Sequence, residues 1–170
     1  MPSIKVDGLD DVFARLKAIG GDIESVQKRA VYAGMGVIRD EVVRQIEQLP
    51  VQKGYLKSKD LPRDVITPRE KEQLLKHIGI ASMDSKNGTV STAISFDGYT
   101  DIKTKKYPNG LPAVLVARSI NSGSSVRTKH PFMRQAQAAA KARAIEAAEK
   151  AAREALAEMM EDKNGKNRTA

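Results

Sequence analysis

The chain of 170 residues has no cysteine, no tryptophan and only two histidines. Without cysteine there is no disulfide framework and no thiolate chemistry, and the redox compartment stays open. His77 and His130 lie far apart in sequence, and neither has a metal-ligand spacing. Aromatics make up 4% of residues, so the core must be aliphatic and alanine-rich. No apolar run approaches the ~18 residues of a membrane-spanning helix, so no membrane partner is expected. The N-terminus, Met1–Asp7, lacks a basic-then-apolar signal pattern, which predicts a soluble protein made in the cytoplasm. Gly-rich phosphate loops, Gly-x-Ser-x-Gly elbows and zinc motifs are also missing. Asp10-Asp11 and Asp40-Glu41 are adjacent carboxylates, and neighbours on a helix point apart. They read as caps or solvated charges. His130 reads as a loop residue near a helix start. No catalytic, metal or cofactor residue is assigned, and a non-enzymatic role is expected.

What is present is positive charge, unevenly placed. The formal net charge is +8. Residues 1–50 are near neutral, residues 51–130 carry nearly all of the excess, and residues 131–162 are again near neutral. Such a middle segment is either a solvated basic surface or a surface for acidic partners or nucleic acid.

Taken in order, Asp10 can cap a first helix bearing Val12, Phe13, Leu16 and Ile19, ended by Gly20-Gly21. Asp22 can cap a second, running to about Gln48, with Ile38, Val42, Ile46 and Leu49 on one stripe. Its centre, Ala33-Gly34-Met35-Gly36, is small enough for another helix to approach closely, or for a local kink. Pro50 stops it, and residues 51–66 read as loop. Thr67-Pro68-Arg69-Glu70 combines a capping box with proline in the first turn. It predicts a short helix carrying Leu74, Leu75 and Ile78, with Gly79 beyond its end. Two strands, 78–83 and 89–96, flank the turn Asp84–Gly88, with Asn87-Gly88 the strongest signal for a hairpin. Val90, Thr92, Ile94 and Phe96 alternate on one face. A basic loop, Lys103–Gly110, follows. It is polar and Gly/Pro-bounded, and is expected to be mobile until a partner orders it. Ala113–Ala117 fits either a strand or a helix through Ile120.

The chain is organised around its last third. A turn-rich loop, Asn121–Ser125, leads to Pro131-Phe132, where a helix begins. From Phe132 to Asp162 there is neither proline nor glycine. Such a helix spans roughly 48 Å at ~1.5 Å per residue. Ala136, Ala140, Ala144, Ala147, Ala151 and Ala155 are predicted to form one small-residue stripe. Glu146–Lys150 and Glu149–Arg153 have the spacing and order of helical ion pairs. Met159-Met160 reads as a soft apolar patch at its end, for core or partner contact. The fold expected is α+β: a small antiparallel sheet packed with long helices, including the long Ala-rich C-terminal helix. Residues 1–162 are expected to form one domain, and 163–170 a disordered basic tail.

The order of several short motifs resembles a known family. Gly8-Leu9-Asp10 comes first, then Ile38-Arg39-Asp40-Glu41 in a long helix. Pro50-Val51-x-x-Gly54-x-Leu56-x-Ser58 follows, then a β region. Ser119-Ile120-Asn121-Ser122-Gly123 precedes Pro131-Phe132-Met133-Arg134. This arrangement, spanning roughly residues 4–160, is similar to the tail-completion or head–tail joining proteins of long-tailed bacteriophages, also called minor tail components. The resemblance implies an α+β virion protein that forms a homo-oligomeric, hexameric ring at the tail end or neck, joining tail to head. Its implied partners are other neck and tail proteins, such as a tail tube or terminator and a head connector; contact with phage DNA is a further expectation, from the basic middle segment. Two departures stand out. The strand ending in Val-Glu-Phe/Tyr-Gly-Thr of many relatives is replaced by Val114–Gly123, where the acid is absent and Arg118 lies nearby. Residues 59–79 are longer than the usual link. On this reading Phe132 anchors the long helix, while Arg118, Arg127, Lys129 and Arg134, with Lys103, Lys105 and Lys106, face a neighbouring subunit or partner. The competing reading is a nucleic-acid-binding protein that uses segment 51–130.

Overall fold

The computed structural model describes residues 22–51, 66–124 and 127–166, with side chains up to Glu161. The first helix expected, and most of the loop 51–66, lie outside the described residues. The elements in chain order are α1 (Ile23–Glu47), α2 (Pro68–His77), β1 (Ile78–Ile80), β2 (Asp84–Lys86), β3 (Thr89–Ser91), β4 (Ile94–Phe96), α3 (Ala113–Ser122) and α4 (Phe132–Lys166). The class is α+β, with a long C-terminal helix. That helix continues to Lys166, so the first four residues of the tail expected to be disordered are helical. The chain divides into two compact units. One holds residues up to Ile38, Ala81–Ala93 and residues from Ala140 onward; the other holds Arg39–Ile80 and Ile94–Ala139.

In the first unit, Asp22 caps α1 by accepting from the Ser25 amide at 3.2 Å. Val26 and Ala30 of α1 form a core with Ala148, Ala152 and Ala155 of α4, flanked by Ile23, Leu156 and Met159. Gly34 explains the small centre of α1. A Cβ there would lie 2.9 Å from the Ala144 carbonyl oxygen and 3.3 Å from the Ala148 Cβ. The missing side chain therefore lets the two backbones touch. Gly36 has nothing within 4 Å of such a Cβ, so close approach depends on one glycine of the two.

The alanine stripe differs from the one expected. In this unit Ala140, Ala144, Ala148, Ala152 and Ala155 are buried, whereas Ala147 and Ala151 are half-buried. The buried row steps by four as far as Ala152 and then by three to Ala155, so the three-residue step falls later than in the expected stripe. Lys150 reaches forward to Glu154 at 3.9 Å, rather than back to Glu146 as expected. Arg153 pairs with Glu149 at 3.7 Å as predicted.

The hairpin tip belongs to the same unit. β2 and β3 pair antiparallel, Lys86 opposite Thr89, and the turn is narrower than 84–88. Asn87 (φ 52°) and Gly88 (φ 74°) form it alone, the two left-handed residues that a tight hairpin demands. The Gly88 carbonyl accepts from the Gln27 side chain at 3.1 Å, tying the tip to α1. The Ala81 amide donates to the Ala93 carbonyl. Between that bond and the Asp84–Ser91 pair lie two residues on one side and one on the other. This is the count of a β-bulge, and it interrupts each of the two strands expected.

In the second unit, β1 pairs antiparallel with β4, Ile78 opposite Phe96. Gly79 follows the α2 cap but sits in β1 opposite Ser95, because Ile78 ends the helix in an extended conformation. The ambiguous run 113–117 is helical. Ala113, Val116, Ala117 and Ile120 are buried together, while Val114 is 50% exposed. A strand would have buried 114 with 116, so tertiary burial selects the helical period. α3 packs against α2 and β4.

Candidate partner-binding surface

The first turn of α2 is the anchor of this surface. The capping box forms as the sequence predicts. The Thr67 hydroxyl accepts from the Glu70 amide at 3.2 Å, and the Glu70 carboxylate accepts from the Thr67 amide at 2.9 Å. The other carboxylate oxygen of Glu70 accepts from Arg127 Nη2 at 2.7 Å. These side chains are only 16% and 18% exposed. Arg127, expected to face a partner, is thus engaged within its own chain. Among the described residues it is the one cation of the predicted set with such an anion pair.

The adjacent residue, Arg69, holds a second segment. Its Nε donates to Asp101 Oδ1 at 3.0 Å and its Nη2 to the Asp101 carbonyl at 3.1 Å. The Asp101 amide donates to Gln73 Oε1 at 3.2 Å, and Gln73 is buried. The hydrogen bond from Arg69 holds the Asp101 carboxyl below its usual pKa, and the same bond raises that of Arg69.

Asp101 begins the basic loop, which is not the unpinned segment expected. Thr100 and Ile102 exchange backbone hydrogen bonds with Leu111, each 2.8 Å, and Thr104 and Tyr107 bond reciprocally at 3.1 Å. Gly110 has φ 118°, and a Cβ there would lie 2.1 Å from the Thr100 carbonyl oxygen. Only glycine allows the return strand to close so tightly. The loop's polarity concealed this, because its order comes from backbone pairing and not from apolar burial. Lys103, Lys105 and Lys106 are exposed along it. The Lys106 ammonium lies 5.7 Å from the centre of the Tyr107 ring, a cation–π distance. Tyr99, at the loop root, is 67% exposed. Phe96 is buried and offers no stacking surface.

The joint between α3 and α4 is built from motif residues. The His130 amide donates to the Ile120 carbonyl at 2.9 Å. The Met133 amide donates to Asn121 Oδ1 at 3.1 Å. The end of one helix thereby caps the start of the next. Gly123 has φ 75°, and a Cβ on it would press to 3.1 Å on the Arg127 carbonyl oxygen and the Lys129 amide. Phe132 is fully buried, with its ring edge-on to Phe96, centroids 6.1 Å apart at 87°. This is the helix anchor expected. Arg118 on α3 and Arg134 on α4 are exposed.

Beside this joint lies a cleft of about 580 Å³, lined by Gln45, Gln48, Leu49, Pro50, Lys129, His130, Pro131 and Gln135. The Gln45 side chain also donates to Glu41 at 3.0 Å, and Arg44 donates to the same Glu41 oxygen at 2.7 and 3.1 Å. Glu41 is 3% exposed. Its pairing with Asp40 in sequence concealed that only one of the two points inward; the four-residue step from Glu41 to Gln45 was the available signal. Asp40 is exposed and meets Arg39 at 3.1 Å. Among the described residues no group of three or more His, Asp or Glu is placed to hold a metal ion. No helix is long and apolar enough to cross a membrane among them. No known family, curated protein or solved structure matches this chain.

Proposed function

We propose that the protein is a non-enzymatic structural component of a tailed-phage virion, acting in a ring at the tail end or neck that completes the tail and joins it to the head. One observation carries this reading: the two C-terminal motifs behind the resemblance interlock physically. Ser119–Gly123 ends α3, Pro131–Arg134 opens α4, and Ile120 and Asn121 accept from His130 and Met133. The motif residues therefore set where the long helix starts and how it leaves the fold. Such a joint gives a ring subunit a rigid helix that presents the same surface in every copy. Arg118 and Arg134, exposed on either side of the joint, are the side chains we assign to neighbour contacts.

The reading is tested on particles assembled without this protein. Full heads and separate tails by electron microscopy, rejoined when the purified protein is added, support it. Normally joined particles in its absence overturn it.

A further inference from the structure

We propose that the lysine-bearing segments anchored on the first turn of α2 form a binding surface for the phosphodiester backbone of duplex DNA. The inference is independent of the joining role, and either can fail alone.

Two neighbouring residues, Arg69 and Glu70, hold two different segments. Arg69 grips Asp101, two residues before Lys103. Glu70 grips Arg127, two residues before Lys129. The same helical turn thus fixes the roots of both cationic segments. It also pairs two acids of this region, Asp101 and Glu70, each with an arginine, while Glu72 on the same helix stays exposed. From Ile102 to Ile145 the chain has no Asp or Glu at all. Lys103, Lys105, Lys106 and Lys129 are exposed, and among the described residues these four lysines form no ion pair.

The choice of cation argues for DNA over an acidic protein. Arginine forks recognise carboxylates in fixed geometry, and here Arg69 and Arg127 are already engaged by Asp101 and Glu70. The cations these two segments leave exposed and outside the described ion pairs are lysines, point charges on flexible stems. That suits a dense, regular line of phosphates, about one charge per ~1.7 Å of duplex axis, without demanding a single register. No base-edge reader is required, so binding is expected to be independent of sequence.

The test is fluorescence anisotropy of the full chain with a short labelled duplex, at about 50 and about 200 mM salt. The wild type should bind, more weakly at high salt. Combining Lys103→Ala, Lys105→Ala and Lys106→Ala should weaken binding and flatten the log–log salt slope by about 2–3, at ~0.9 per phosphate contact. Lys86→Ala with Lys150→Ala, both outside this surface, should leave the slope unchanged. Circular dichroism checks that each variant is folded. No binding by the wild type, an unchanged slope in the triple variant, or an equal loss in the control pair overturns the proposal. So does displacement by polyglutamate as effective as by unlabelled duplex at equal charge, which would mark an acidic protein as the partner.

Discussion

Glu70 and Arg127 lie 57 residues apart in sequence, and their side chains meet at 2.7 Å while Glu70 also closes the capping box of α2. One carboxylate thus starts a helix and fixes a loop. A partly shielded charged hydrogen bond contributes about 1.5–3 kcal/mol. Arg127→Ala should therefore destabilise the protein measurably, unlike an exposed-charge deletion. Glu70→Ala should cost more, because about 0.5–2 kcal/mol of capping goes with it. A double-mutant cycle followed by urea unfolding should give a coupling of about 0.5–3 kcal/mol; additive single effects would disprove the link.

Phe132→Ala should cost about 3–5 kcal/mol, the range for deleting a fully buried aromatic. Phe96 loses its ring partner in that variant, so Phe96→Ala and Phe132→Ala should be less than additive. Thermal melts of both and of the double variant check this. A Phe132→Ala protein that melts like wild type would refute the anchor.

The two glycines at the centre of α1 should respond with opposite signs. Gly34→Ala drives a Cβ to within 2.9 Å of a carbonyl oxygen, and overpacking of this kind costs about 1–3 kcal/mol. Gly36→Ala meets open space, and should gain up to about 1 kcal/mol from helix propensity. Chemical denaturation of both proteins reads the contrast; two shifts of the same sign would contradict the contact.

The Asp101 carboxyl should titrate below its usual 3.8, chiefly through its hydrogen bond from Arg69. A depressed folded-state value means that the contribution to stability is present above about pH 4. It is lost as pH falls through the lower folded value. An NMR titration should show this, and Arg69→Ala should return the midpoint toward the usual value. A midpoint that Arg69→Ala leaves unmoved would show another cause.

Arg118→Ala and Arg134→Ala should leave the unfolding free energy within about 0.5 kcal/mol of wild type, as exposed charges do. Head–tail joining should fall instead. Loss of fold without loss of joining would reverse the assignment.

Local chemistry was legible in the residues alone. Asp22 and Thr67–Glu70 announce helix starts because capping acts over three or four positions. Asn87-Gly88 announces a turn because few residues tolerate left-handed backbone. Phe132, beside Pro131 in a chain poor in aromatics, was readable as an anchor for similar reasons, whereas the small centre of α1 left a kink and a close approach both open until the contact of Gly34 with Ala144 decided it. What the sequence could not settle depended on pairs distant along the chain. The partner of Arg127 is 57 positions away. The order of the lysine loop rests on Thr100, Ile102 and Leu111 meeting across a turn. Where the buried alanine row takes its three-residue step is set by the contact with α1, which puts Ala148 and Ala152 inside in place of Ala147 and Ala151. Val114 and Val116 are equally apolar, and only packing on α2 and β4 decided which faces inward. Propensity and capping are written in neighbours, whereas burial and ion pairing arise only after the backbone brings remote residues together.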